Sequence, residues 1–172
     1  MKFLLPLLAA LPVSLALAGP AHQHGVATLD IAVEPTRVTL DLDSPLDNLL
    51  GFERAPRTDA ERERAAAVVK KLQAADGLFR IDPAAGCTLA KATLKSAALG
   101  LGADPATAKG DHADLEGRFE FTCKAGAKAG FIEVGLFDAF APLKRIELQV
   151  VTPRGQLKAV LVRPASRVVL AR

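Results

Sequence analysis

The 172-residue chain has no tryptophan, no tyrosine, one methionine, two cysteines and three histidines. Without Trp or Tyr, and without an RNA-type aromatic motif, it lacks the usual stacking platforms for nucleic acid. No basic tract compensates: cations and anions alternate, as in Glu61-Arg62-Glu63-Arg64, and the formal charge is only +3. That mild basicity reads as solubility, so no nucleic-acid partner is expected. Beyond residue 18, no apolar run is long enough to span a bilayer, so no stable membrane insertion is expected either. Also missing are G-x-S-x-G, a glycine-rich phosphate loop and H-E-x-x-H. The common hydrolase, nucleotide-binding and metalloprotease signatures are therefore unrepresented.

What is present begins with MKFLLPLLAALPVSLALA, residues 1–18. One early cation, Lys2, an apolar run and a terminal Ala16-Leu17-Ala18 have the layout of a secretory signal peptide. Cleavage is expected after about Ala18, giving an exported, soluble chain of residues 19–172 that forms a single domain. The Leu-Ala-Gly-Pro stretch at the cleavage site has no cysteine, so a lipoprotein anchor is not indicated. The sole methionine, Met1, leaves with the leader, which excludes a thioether site for Cu(I).

Cys87 and Cys123 allow one intramolecular pairing, and export favours oxidation. Closing a loop of this length is worth roughly 3–4 kcal/mol in the chain-entropy treatment. The alternative is a pair of metal thiolates, against which stand the absent C-x-x-C spacing and the lack of a histidine nearby in sequence. A structural disulfide is the stronger reading.

From Ala27 to Val33 apolar side chains fall on odd positions, and Val38, Leu40 and Leu42 repeat the alternation after Glu34-Pro35-Thr36-Arg37. This pattern predicts a hairpin. Thr58 and Glu61 have capping-box spacing, and Ala65, Val68, Val69 and Leu72 form a modest apolar stripe, predicting a helix that Gly77 ends in a left-handed conformation. Residues 87–99 read as a less regular strand, and GLGADPATAKGDH as a loop. Leu115, Phe119, Phe121 and Cys123 alternate with polar residues, while Phe131 to Phe137 is a further strand candidate. Ile146, Leu148 and Val150 pair with Leu157, Ala159 and Leu161 across the turn Thr152–Gly155. The sum is an α+β fold: a mainly antiparallel β domain of about six to seven strands with one substantial α-helix.

His22 and His24 sit one residue apart just before the first strand, on its polar parity. His112 likewise precedes a strand and shares its polar parity with Asp114. Imidazole suits Zn²⁺, Cu²⁺ and Ni²⁺, and carboxylates can complete a zinc site. For the three histidines to meet, their strand entrances must lie at one end of the sheet, as in a parallel pair, or a loop must bring them together; an antiparallel neighbour relation would separate them. The bland alternative is a solvated tail and an ordinary loop residue. Within SPLDNLLGFE, Asp47 and Asn48 offer a polar site, yet Ser-Pro and Asp-Asn are also ordinary turn formers. Packing of Leu46, Leu49, Leu50 and Phe52 at a strand-to-helix corner is favoured. Asp138 within LFDAF reads as a loop cap rather than a catalytic acid.

HQHGVATLDIAVE, LDLDSPLDNLLGFERAPRTDAE, GCTL, HADLEGRFEFTC, VGLFDAFAPLKRIELQV and TPRGQLKAVL occur in that order along the chain. Together they resemble the ZrgA-like zinc uptake proteins, exported periplasmic proteins of Gram-negative bacteria. The resemblance implies a metal-binding domain with His22, His24 and His112 near the metal and Asp114 as a further ligand. Two departures stand out. ADPATAKGD lacks the histidines that relatives carry before H-A-D-L, and Phe52-Glu53-Arg54 stands where relatives read F-E-H. A guanidinium is a permanent cation and cannot ligate, so Glu53 or water would fill that place, in a weaker site.

The reading that follows is a periplasmic zinc-binding protein, not an enzyme, that captures zinc or delivers it for uptake. Zinc is the expected ion, with Cu(II) and Ni(II) as alternatives, and a zinc transporter or its binding protein is the expected recipient. A non-catalytic envelope interaction module, with a structural ion or none, is the competing reading.

Overall fold

A computed structural model describes residues 23–102 and 113–170; the leader, His22 and His112 lie outside them. Nine strands are present among the described residues: β1 Val26–Val33, β2 Arg37–Pro45, β3 Phe79–Ile81, β4 Cys87–Lys95, β5 Asp114–Cys123, β6 Phe131–Val134, β7 Arg145–Thr152, β8 Gly155–Val162 and β9 Arg167–Val169. Three α-helices accompany them: α1 Leu46–Leu50, α2 Asp59–Gln73 and α3 Leu136–Ala139. Six strands form one sheet in the order β4-β5-β2-β1-β7-β8, and three form a second in the order β3-β6-β9. Among the described residues only β1 with β7 is parallel; the other pairings are antiparallel. The predicted α+β class holds, and the two strands beyond the expected count are β3 and β9. Each is three residues long, too short for alternation to mark it.

Period-two patterning gives the large sheet its inner face. Leu29, Ile31, Leu40, Phe119 and Ile146 are all buried there, while Asp30, Asp41 and Arg118 point to the opposite, polar face. On that polar face Arg118 Nε lies 2.6 Å from Asp41 Oδ1 across the β2–β5 ladder. The inner face is covered by α2, through Ala65, Val68 and Leu72, and by the small sheet, through Phe79, Ile132 and Val168. The Phe79 and Phe119 rings meet at 5.0 Å. Each such side chain fully removed from water contributes roughly 1.5–3 kcal/mol before entropy.

Three local expectations are corrected. Thr58 and Glu61 do form the capping box, but α2 ends at Gln73, and Gly77 closes a 3₁₀ turn without a left-handed backbone. The strand beginning at Phe131 stops at Val134, because the following residues coil into α3 and bury Leu136 and Phe137 from a helix. Residues 87–99 keep strand pairing only to Lys95, with a register shift between Leu89 and Lys91, and then turn as 3₁₀.

The strand order settles which sheet end matters. β1 and β5 are each antiparallel to β2, so they run in the same direction and begin at the same end. β2 finishes at that end and passes directly into α1. The Cys87–Cys123 disulfide lies at the other end, joining the first residue of β4 to the last of β5. There the Cys123 amide also donates to Thr36 in the β1–β2 turn. The cysteines are thereby bonded to each other and remote from the histidine end.

Candidate metal centre

Backbone hydrogen bonds and buried leucines seat α1. Its first amide, Leu46 N–H, donates to the Ala113 carbonyl at 2.8 Å, tying it to the approach to β5. Leu46, Leu49 and Leu50 are buried, as expected of a packed corner. Asn48 is fully buried, and its amide works on β1 rather than in a turn. Its Oδ1 accepts from Gly25 N–H at 2.6 Å, and its Nδ2 donates to the Val26 carbonyl at 2.8 Å and to Ser44 Oγ at 3.2 Å. Gly25 has a φ of 80°, a conformation that strongly favours glycine, and its carbonyl accepts from Lys144 and Arg145. The start of β1 is therefore pinned from both sides, with His24 standing over α1.

Gly51, with a φ of 82°, terminates α1 by donating to the Asp47 carbonyl at 2.9 Å. The reversal turns Glu53 back toward His24. His24 Nδ1 lies 3.0 Å from Asp47 Oδ2, and His24 Nε2 lies 3.2 Å from Glu53 Oε2. The imidazole is 68 % exposed, whereas the two carboxylates are sunken at 18 % and 20 %. One potential ligand atom from each residue falls within 4.8 Å of the others.

Two observations bear on what this trio suits. Ligand atoms of a tetrahedral zinc ion stand about 3.3 Å apart at ordinary zinc–nitrogen and zinc–oxygen distances, close to the His24–Glu53 separation. Asp47 Oδ1 and Glu53 Oε1 are also shut away from solvent, with no hydrogen-bond partner among the described residues. Buried acceptors in that condition are uncommon, and a cation is the natural complement to two of them. Electrostatics agrees in direction. Burial raises the Asp47 carboxyl above its ordinary range; the His24 charge opposes this, Glu53 adds to it, and the Asn48 amide pulls it back. A divalent ion would relieve both the burial and the carboxylate repulsion.

Of the residues singled out from the sequence, His24 and Glu53 come together here. Asp114 opens β5 opposite Pro45, the residue before α1, but is not one of the trio. His22 and His112 lie outside the described residues; their chain neighbours Gln23 and Ala113 lie at this same end. Asp47, which the sequence offers as either a polar site or a turn former, is the third member. Leu46 before the Asp-Asn pair and Leu49-Leu50 after it are the available signal: a short helix buries the leucines and Asn48 and leaves Asp47 half-buried beside the neighbouring strand.

Arg54 is not one of the trio, and a guanidinium is a permanent cation that cannot ligate. Its guanidinium grips Glu61 in two bonds of 2.8 and 2.7 Å and lies 4.9 Å from the centre of the Phe52 ring. Glu61 is the capping residue of α2, so Arg54 anchors the segment carrying Glu53 to that helix. The Glu61 carboxyl is correspondingly pulled down to about 2, chiefly by Arg54 and then by the Arg57 amide.

No helix among the described residues is long and apolar enough to cross a membrane. No curated protein matches the chain. The family profile described as ZrgA family zinc uptake protein matches residues 21–170. With nearly its whole length covered, including every residue of the His24–Asp47–Glu53 cluster, the chain belongs to the ZrgA family of zinc uptake proteins.

Proposed function

We propose that this is an exported periplasmic protein that binds zinc as cargo and captures or delivers it for uptake. The observation that carries the reading is the exposed His24 imidazole facing two sunken carboxylates whose remaining oxygens have no hydrogen-bond partner among the described residues. An exposed ligand over buried charge suits an ion that must arrive and leave, rather than one sealed in for stability. Both His24 nitrogens face carboxylates, one from α1 and one from the segment after it.

His24 and Glu53 are the central ligands in this reading. His22, His112 and Asp114 are assigned as further ligands because their chain positions adjoin the same end of the sheet. Zinc is preferred to Cu(II) or Ni(II) from the nitrogen–oxygen donor set and the zinc-uptake family. A zinc transporter or its binding protein is the proposed recipient. Export and periplasmic residence are supported by the leader pattern, and the disulfide is compatible with them. The family is not a known enzyme family, and the reading assigns no catalytic step.

Zinc titration by calorimetry on the chain from Gly19 tests this. One-to-one binding is expected, weakened at least roughly 100-fold by His24→Ala or Glu53→Gln, with the fold intact by circular dichroism. His22→Ala and His112→Ala are expected to weaken it further. A wild-type chain that binds no zinc would remove the carrier reading and favour an interaction module.

A further inference from the structure

β8 is the last strand of the large sheet and β9 the last of the small one. They are not paired with each other, and a groove of about 540 Å³ runs between them. Backbone direction follows from hydrogen bonds outside the ladders. The Val162 carbonyl accepts from Ala165 N–H, away from β7. In an antiparallel ladder alternate residues turn both backbone groups to the same side, so Gln156, Lys158 and Val160 also face away from β7. On β9, the Ser166 carbonyl accepts from Val134 and Leu170 N–H donates to Gly130, both toward β6. Arg167 and Val169 therefore face outward from their sheet. Two open strand edges thus border one groove.

Open edges are usually blunted by charge, proline or a bulge. β8 carries one charged residue, Lys158, with no proline and no register shift in its pairing to β7. Val160 and Val169 are 48 % and 58 % exposed. The lining includes Arg154, Lys158 and Arg167 and no acidic residue. Arg167 is already engaged by Glu133, while Arg154 and Lys158 have no ion pair among the described residues. We propose that this groove binds an extended acidic segment of a partner protein, which pairs its backbone with the β8 edge and places its carboxylates against Arg154 and Lys158. A second copy of the chain fits less well, because self-pairing of β8 would bring these cations near their own copies.

The test uses the chain from Gly19 and two fluorescein-labelled nine-residue probes, one alternating Val with Glu and the other Val with Lys, read by fluorescence anisotropy. The acidic probe is expected to saturate and the basic probe to show no binding. Lys158→Glu should weaken the acidic probe roughly tenfold without touching the core. Val160→Pro should abolish binding, since it removes an outward N–H and no ladder bond to β7. Equal binding of the two probes, or an acidic probe insensitive to Lys158→Glu, would overturn the proposal even if the proline variant failed to fold. Concentration-dependent dimers in sedimentation that Lys158→Glu alters would overturn it in favour of self-pairing.

Discussion

Replacing Asn48 with alanine should damage both stability and zinc binding, for one reason. The side chain is fully buried and hydrogen-bonds α1, bearing Asp47, to Gly25 and Val26 beside His24. Alanine leaves the buried Gly25 N–H without its acceptor and deprives the Val26 carbonyl of a donor. An unsatisfied buried group costs roughly 1–3 kcal/mol, and the carbonyl is only partly buried, so the loss should be about 2–4 kcal/mol. For a chain of this size that lowers the Tm by roughly 5–15 °C. Asn48→Asp should not rescue it. The carboxylate can still accept from Gly25, but it sets an oxygen against the Val26 carbonyl where the amide had donated. Thermal unfolding and zinc calorimetry on the same samples separate the two consequences. With the latch gone, His24 loses its register over Asp47, and zinc affinity should fall at least roughly tenfold. A Tm shift smaller than about 2 °C would refute the latch, given that conversion. Full destabilisation with unchanged zinc affinity would refute its role in placing His24.

Other consequences follow from the same geometry. If Asp47 orients the ring by accepting from Nδ1–H, Asp47→Asn keeps an acceptor and should cost roughly tenfold in zinc affinity, whereas Asp47→Ala costs up to about 100-fold; equal large losses would make Asp47 a direct ligand. The Glu61 carboxyl is lowered from 4.5 to about 2 in the folded chain. Its stabilising contribution is present above pH 4.5 and is lost as pH falls toward 2, so Glu61→Gln should flatten the acid limb of the stability profile in that window. Reducing Cys87–Cys123, which closes a separation of 36 residues, should cost about 3–4 kcal/mol in urea unfolding. Zinc affinity should be preserved under native conditions, because the bridge lies at the far end of the sheet.

The difference between what could and could not be read from the chain lies in the kind of information each feature needs. Alternation identifies a strand and its buried face from a few neighbouring residues, and so Leu29, Ile31, Leu40 and Phe119 were legible as core. The capping box at Thr58 and Glu61 was legible for the same reason, because both partners are local. Gly77 misled, since a glycine after a helical stretch is a common terminator but α2 had already closed at Ala74. β3 and β9 were invisible because three residues show no period. The approach of Asp47 to His24 is not legible, because Asp-Asn is equally an ordinary turn former and the strand it faces is distant in sequence.

That approach is a matter of topology. Parity says which face of a strand a residue occupies, not at which end of a sheet the strand begins. His24 and Asp114 each precede or open a strand, which by itself leaves two possibilities: entrances together, or entrances a strand length apart. Placing β2 between β1 and β5 and antiparallel to both resolves this, since two reversals restore the original direction. The same placement sends the end of β2 into the gap between the two entrances. α1 therefore forms where Asn48 can hold β1, Leu46 can hold the approach to β5, and Asp47 can face His24. A carboxylate inside an otherwise leucine-rich corner is thus the consequence of the strand order. Exchanging β1 and β2 in the sheet would preserve every alternation and remove the site.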